Sequence, residues 1–144
     1  MVILPDANIL IYAYDEESDV HHVAKSWLAN VMTSHQVVLT WQTITAFIRI
    51  TTAHAGNLTL SVDEAVDIVT SWLERDNVKI VSFHKGSWSL FVATLKSGQA
   101  KGNLAMDAHL ATLALSCGAT LATRDKDFSR FDGLKLTNPF TPAK

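Results

Sequence analysis

The sequence predicts a three-layer α/β/α sandwich around a mostly parallel sheet of five strands. Three observations predict it. Short β-branched runs alternate with longer runs of helical periodicity. The first, third and fourth short runs are nearly all apolar, as strands covered on both faces are. Strands separated by helices need crossover connections, which make neighbouring strands parallel and put helices on both faces.

Taken in order, residues 2–5 ("VILP") form the first strand and "ANILIYAY" the first helix, with Asp6 placed to cap it. "HHVAKSWLANVMTS" carries Val23, Trp27, Leu28 and Val31 at helical spacing. "VVLT", residues 37–40, is the second strand, and "WQTITAFIRITTA" is helical through Ile44, Phe47 and Ile48 despite its β-branched content. "SVDEAVDIVTSWLER" opens with Ser61 and Glu64 three apart, a capping box. "VKIVSF", residues 78–83, is the third strand. "SWSLFVATLKSG" is a helix stopped by Gly98, and "MDAHLATLALSCG" the last long helix, stopped by Gly118. "ATLATR" and "LKLT", residues 134–137, complete the sheet. With no repeat, linker or low-complexity tract, residues 1–144 read as one domain.

Composition narrows the function. The chain has 144 residues, 48% of them apolar, so its composition is that of a folded protein. The net charge of −2 excludes nucleic-acid binding by bulk charge alone. The charge is polarised, however. Residues 1–80 hold ten acids and four Lys/Arg, whereas residues 81–144 hold four acids and eight Lys/Arg. Lone Cys117 sits in an apolar stretch and reads as buried core, which suits a reducing compartment. The apolar N-terminus lacks a basic n-region and contains Pro5 and Asp6, so it reads as neither signal peptide nor membrane span, and the expected location is the cytoplasm.

The acids follow from the topology. In such a sheet every strand ends at one edge, and ligand sites form there. Asp6 directly follows the first strand, and Asp125 and Asp127 follow the fourth. Asp107 opens the helix that must start at this edge if the fourth strand is parallel. Each has an ordinary alternative role, as helix cap, dipole partner or turn residue. Together they form a problem, because carboxylates ~5 Å apart repel by on the order of 3 kcal/mol per pair at an effective dielectric near 20. No Lys or Arg is evidently placed within the cluster, and a divalent cation would relieve it. All-oxygen ligands favour Mg2+ or Mn2+ over Zn2+. Such a site suits phosphodiester hydrolysis, with Lys101, Arg124 and Lys126 near enough in sequence to hold a polyanionic backbone.

"PDANILIYAYD", "GNLAMDAHLATLAL" and "GATLATRDKDFSRF" together resemble PIN-domain ribonucleases, and in particular the VapC toxins of bacterial toxin–antitoxin pairs, along essentially the whole chain. The resemblance implies a PIN-like α/β/α fold, Mg2+-dependent endonucleolytic cleavage of RNA, homodimers, and inhibition by a VapB-like antitoxin encoded alongside. By motif match it implies that Asp6, Asp107 and Asp125 hold the metal, Asp125 through water, with Asp127 as auxiliary acid and Asn8 and Thr123 supporting them. One departure stands out. Many members carry a glutamate on the helix after the second strand, where this chain has Phe47, and no acid occurs between residues 20 and 62. That leaves one or two ions open and makes a degenerate RNA- or antitoxin-binding module the alternative. Arg49, on the same helix, pairs with an acid of the cluster, contacts substrate, or is a plain surface residue.

Other residues rank lower. His21 and His22 read as surface or capping residues, His109 as core or surface, and His84 as a weak substrate contact. Trp27, Trp72 and Trp88 read as core or interface; Trp41 reads as core, with base stacking as its alternative. A phosphoacceptor receiver domain would need an acid after the third strand, which ends "VSFHKG", and a haloacid-dehalogenase phosphatase would need an acid where Asn8 stands.

Overall fold

A computed structural model describes residues 1–53 and 58–141. Its five strands, β1 (Val2–Pro5), β2 (Gln36–Leu39), β3 (Val78–Ile80), β4 (Thr120–Ala122) and β5 (Lys135–Thr137), form one sheet in the order β3-β2-β1-β4-β5. Every pairing is parallel. The helices are α1 (Ala7–Tyr12), α2 (His21–Ser34), α3 (Trp41–Thr51), α4 (Val62–Leu73), α5 (Trp88–Ser97) and α6 (Leu104–Ser116), with 3₁₀ turns at Lys85–Ser87 and Lys126–Arg130.

Side chains alternate across the sheet, as the period of two requires. Ile3, Val37, Leu39 and Ala122 enter one core with α1, α2, α3 and α4. Leu4, Val38 and Leu121 enter the other, with α6 and the Phe128–Phe131 segment. The chain winds outward from β1 through β2 to β3, then α5 and α6 carry it back past β1 to β4. The winding reverses between β1 and β4. In an open parallel sheet, the carboxyl ends of strands at such a reversal frame a crevice.

The sequence reading places the elements well and their ends less well. β3 stops at Ile80 rather than residue 83. The Val81 amide donates a last bond to Leu39 O (3.0 Å) of the strand's one neighbour in the sheet, β2, before β2 turns into α3, so residues 82–83 find no ladder partner. β4 is likewise shorter than "ATLATR". The α2 stripe is Ala24, Leu28, Val31 and Met32, rotated from the expected line, with Val23 exposed. The α4 capping box is present in both halves. Gly118 ends α6 with φ +65°, the left-handed conformation that favours glycine. Gly98 has an ordinary φ of −90°. There the requirement is space, since a Cβ would lie 2.5 Å from the Phe131 ring.

Several side chains depart from expectation. Asp6 stands at the N-cap of α1, but its side chain makes no capping bond. His21 is buried, not superficial. Its Nδ1 donates to Tyr12 O (2.9 Å), one of the carbonyls that the end of the six-residue α1 leaves without a partner. Trp41 is exposed rather than core, at 55%; of the residues read as core or interface, Trp72 is buried and Trp88 is exposed, at 59%. Cys117 is only half-buried and donates to Leu113 O; burial pushes its thiol up.

Candidate active site

β1 and β4 lie side by side, so Asp6 and Thr123, just past their ends, meet across the chain. The Asp6 amide donates to Ala122 O (2.9 Å), extending the ladder by one bond. The Thr123 hydroxyl then donates to Asp6 Oδ2 at 2.9 Å and accepts from the Asp125 amide at 3.0 Å. Asp125 Oδ1 accepts from the Asp127 amide at 2.8 Å, which starts the 3₁₀ turn. A relay therefore runs Asp6–Thr123–Asp125–Asp127. Thr123 is buried, at 4% exposure.

Asp107 reaches this relay from the first turn of α6. Carboxylate oxygens of Asp107, Asp125 and Asp127 all lie within 4.8 Å of one another. Asp6 stands outside that tight trio but adds to its field. Burial, then the charges of Asp125, Asp6 and Asp127, push the Asp107 carboxyl up to about 6, with Arg130 opposing. Burial also raises Asp6, against the Thr123 hydroxyl and Ala7 amide, which lower it. The group is thus short of positive charge. Its donor set is wholly carboxylate oxygen, which fits a hard divalent cation.

Not every candidate joins the acids. Asn8 is exposed on α1, Lys101 in the turn before α6, and Arg49 on α3. Arg124 and Lys126 flank Asp125 and are exposed. Phe47 is fully buried, 4.8 Å from the Trp72 ring and 5.9 Å from that of Tyr14. His84 accepts from the Gly86 amide and caps the first 3₁₀ turn.

Two further residues border the acids, Arg130, which belongs to the basic residues near them in sequence, and Gln42. Arg130 is the cation nearest in effect to Asp107, correcting the expectation of none; its Nη1 donates to Gly98 O (2.9 Å) and its Nε to Asp127 O (3.2 Å). Gln42 donates to Met106 O (3.4 Å), and its Oε1 accepts from His109 Nδ1 (2.7 Å). Gln42 thus ties the start of α3 to the turn bearing Asp107, while His109 stacks on Phe83 at 4.6 Å.

The family model described as PIN domain matches residues 3–134. The chain belongs to the PIN domain family. As a PIN domain it is similar to Ribonuclease VapC33 of Mycobacterium tuberculosis, 29% identical over 140 residues covering 96% of this chain and 98% of that one. Ribonuclease VapC48 of the same organism is 29% identical over 140 residues, covering 94% and 96%. Among solved structures, VapBC2 from Rickettsia felis bound to a DNA fragment from their promoter matches with TM-score 0.70 at 18% identity, over 96% of this chain and 98% of that one. The five-stranded parallel sheet and its helices are thus the PIN-like α/β fold that the sequence predicted. Among the described residues, no helix is long and apolar enough to cross a membrane.

Proposed function

We propose that the chain is the endoribonuclease toxin of a VapBC-type toxin–antitoxin pair, hydrolysing RNA phosphodiester bonds at its acidic edge. One observation carries the reading: three carboxylates lie within 4.8 Å of one another, with Asp6 joined to them through Thr123. PIN membership and relatives named ribonucleases support it. Asp107, Asp125 and Asp127, with Asp6 beside them, would hold Mg2+ or Mn2+. When bound, the cation supplies charge neutralisation on phosphoryl oxygens and makes water more acidic.

The chain's own groups do the rest. Thr123 fixes Asp6 in one rotamer and sets the backbone that aims Asp125, much as residues behind metal ligands orient them. Gln42 steadies the turn that presents Asp107. Asp107, whose carboxyl burial and neighbouring charges push up to about 6, would hold a cation in its deprotonated form. By the same reading the protein acts as a single domain, as a homodimer, on cytoplasmic RNA, and is held inactive by a VapB-like antitoxin.

A second reading has one observation in its favour. Phe47 fills the glutamate position with a core ring, so a second ion has one acid fewer, and a module that binds RNA or antitoxin without cutting is the alternative. Purified protein incubated with an RNA pool and Mg2+ or Mn2+ separates the two. Cleavage is expected, with Asp6→Ala and Asp107→Ala each lowering it on the order of 10³-fold and EDTA abolishing it. Full activity of Asp107→Ala overturns the proposal, and retained RNA binding without any cleavage selects the second reading.

A further inference from the structure

Beside the acids lies a cleft of about 360 Å³ where β4 and β5 end, bounded by Thr123–Lys126 on one side and Leu136–Asn138 on the other. Asp125 belongs both to this cleft and to the carboxylate trio, so the two spaces share a wall. Two cations, Arg124 and Lys126, line it.

Arg124 is not loosely placed. Its guanidinium carbon sits 5.7 Å from the Tyr12 ring centroid and 5.5 Å from that of Phe140. The two rings meet edge-on at 6.0 Å. They come from α1 and from the segment after β5, so distant parts of the chain converge on one cation. Aromatic faces attract a guanidinium and leave its in-plane N–H donors available. Asn138 is also held, because its Oδ1 accepts from the Phe140 amide at 2.9 Å, and that bond leaves the side-chain NH2 to donate elsewhere. The Ser129 hydroxyl is already donated to Lys126 O (2.8 Å) and contributes no donor.

Arg124 and Lys126 flank Asp125 in sequence, and both line the cleft. RNA laid across the acids carries a phosphate on each nucleotide. The scissile one faces the cation site, but its neighbour meets unneutralised carboxylates unless a basic group receives it.

We propose that this cleft binds the phosphate adjacent to the scissile one in single-stranded RNA. Arg124 supplies a planar fork of donors, Lys126 a point charge and Asn138 a neutral donor. The inference rests on the ribonuclease reading and adds a subsite to it.

The test is a scan of an RNA that wild-type protein cuts, replacing one phosphodiester at a time with a neutral methylphosphonate. One linkage flanking the cut is expected to raise KM about tenfold when neutralised, with kcat little changed. Arg124→Ala/Lys126→Ala is expected to raise KM similarly on unmodified RNA and to be insensitive to that linkage. Arg124→Lys, which keeps the charge and loses the fork, is expected to fall between. Lys135→Ala, at the opposite end of β5, is expected to match wild type. If the losses from variant and modified linkage simply multiply, or no flanking linkage matters, the subsite is wrong while the ribonuclease reading stands. If wild-type protein cuts no RNA with either metal, both are overturned.

Discussion

The two sides of the sheet are packed by different means. On the α1–α4 side the core is built from large side chains, with Phe47, Trp72 and Tyr14 in mutual contact. On the other side α6 buries three alanines, Ala108, Ala111 and Ala114, all at 0% exposure, beside Leu110. Bulk at the aromatic cluster on one face contributes hydrophobic stabilisation there. Small residues on the other let a helix backbone approach closely, and that approach brings Asp107 within reach of Asp125. One face is specialised for stability, the other for position.

Phe47→Ala is the strongest way to break this division. It removes a fully buried ring from the aromatic cluster and should cost about 3–5 kcal/mol in denaturant unfolding. Its metal uptake, measured by calorimetry below the melting range, should stay near wild type. A lost metal site with retained stability would reverse the assignment of roles. Ala111→Leu attacks the other side. Overpacking there should cost roughly 1–3 kcal/mol and should cut activity more than its stability loss explains, because α6 must lift from the sheet. Activity unchanged in a destabilised Ala111→Leu would show that α6 placement is not limiting.

The smallest effect sharpens the electrostatic half. Folding keeps the proton on Asp107 to about pH 6, where an ordinary aspartate titrates near 3.8. In metal-free protein, then, the folded state binds more protons than the unfolded one between those values, and stability from this group falls as pH rises through them. Asp107→Asn should raise the metal-free Tm by roughly 2 °C at pH 7, with the gain vanishing below pH ~4. Thermal melts at both pH values with EDTA decide it. A variant that melts lower at pH 7 would mean that the carboxylate is stabilising and the cluster is not under strain.

Much of this was legible in the sequence, for identifiable reasons. Buried parallel strands announce themselves as apolar runs, and each acid adjoins such a run, so topology alone brought Asp6, Asp107 and Asp125 to one edge. Strand ends were less legible because they depend on the neighbour; β3 stops where β2 turns away. The reading of His21 as surface or capping residue left its partner open, because the stranded carbonyl on Tyr12 is visible only once α1 is known to end there. Trp41 was misread as core because an apolar type does not say which way the first turn of a helix faces. Gln42 and Arg130 act through long-range contacts with Met106 and Gly98, for which no local pattern exists.

The strand order also bears on when the acidic edge can assemble. β4 follows β1 by more than a hundred residues, yet it docks directly against it and carries Thr123 and Asp125 with it. Pairings of such long sequence separation form slowly. Until β4 has emerged and docked, Asp6 stands without Thr123 or Asp125 beside it. The carboxylates therefore come together as a group, in the step that closes the centre of the sheet.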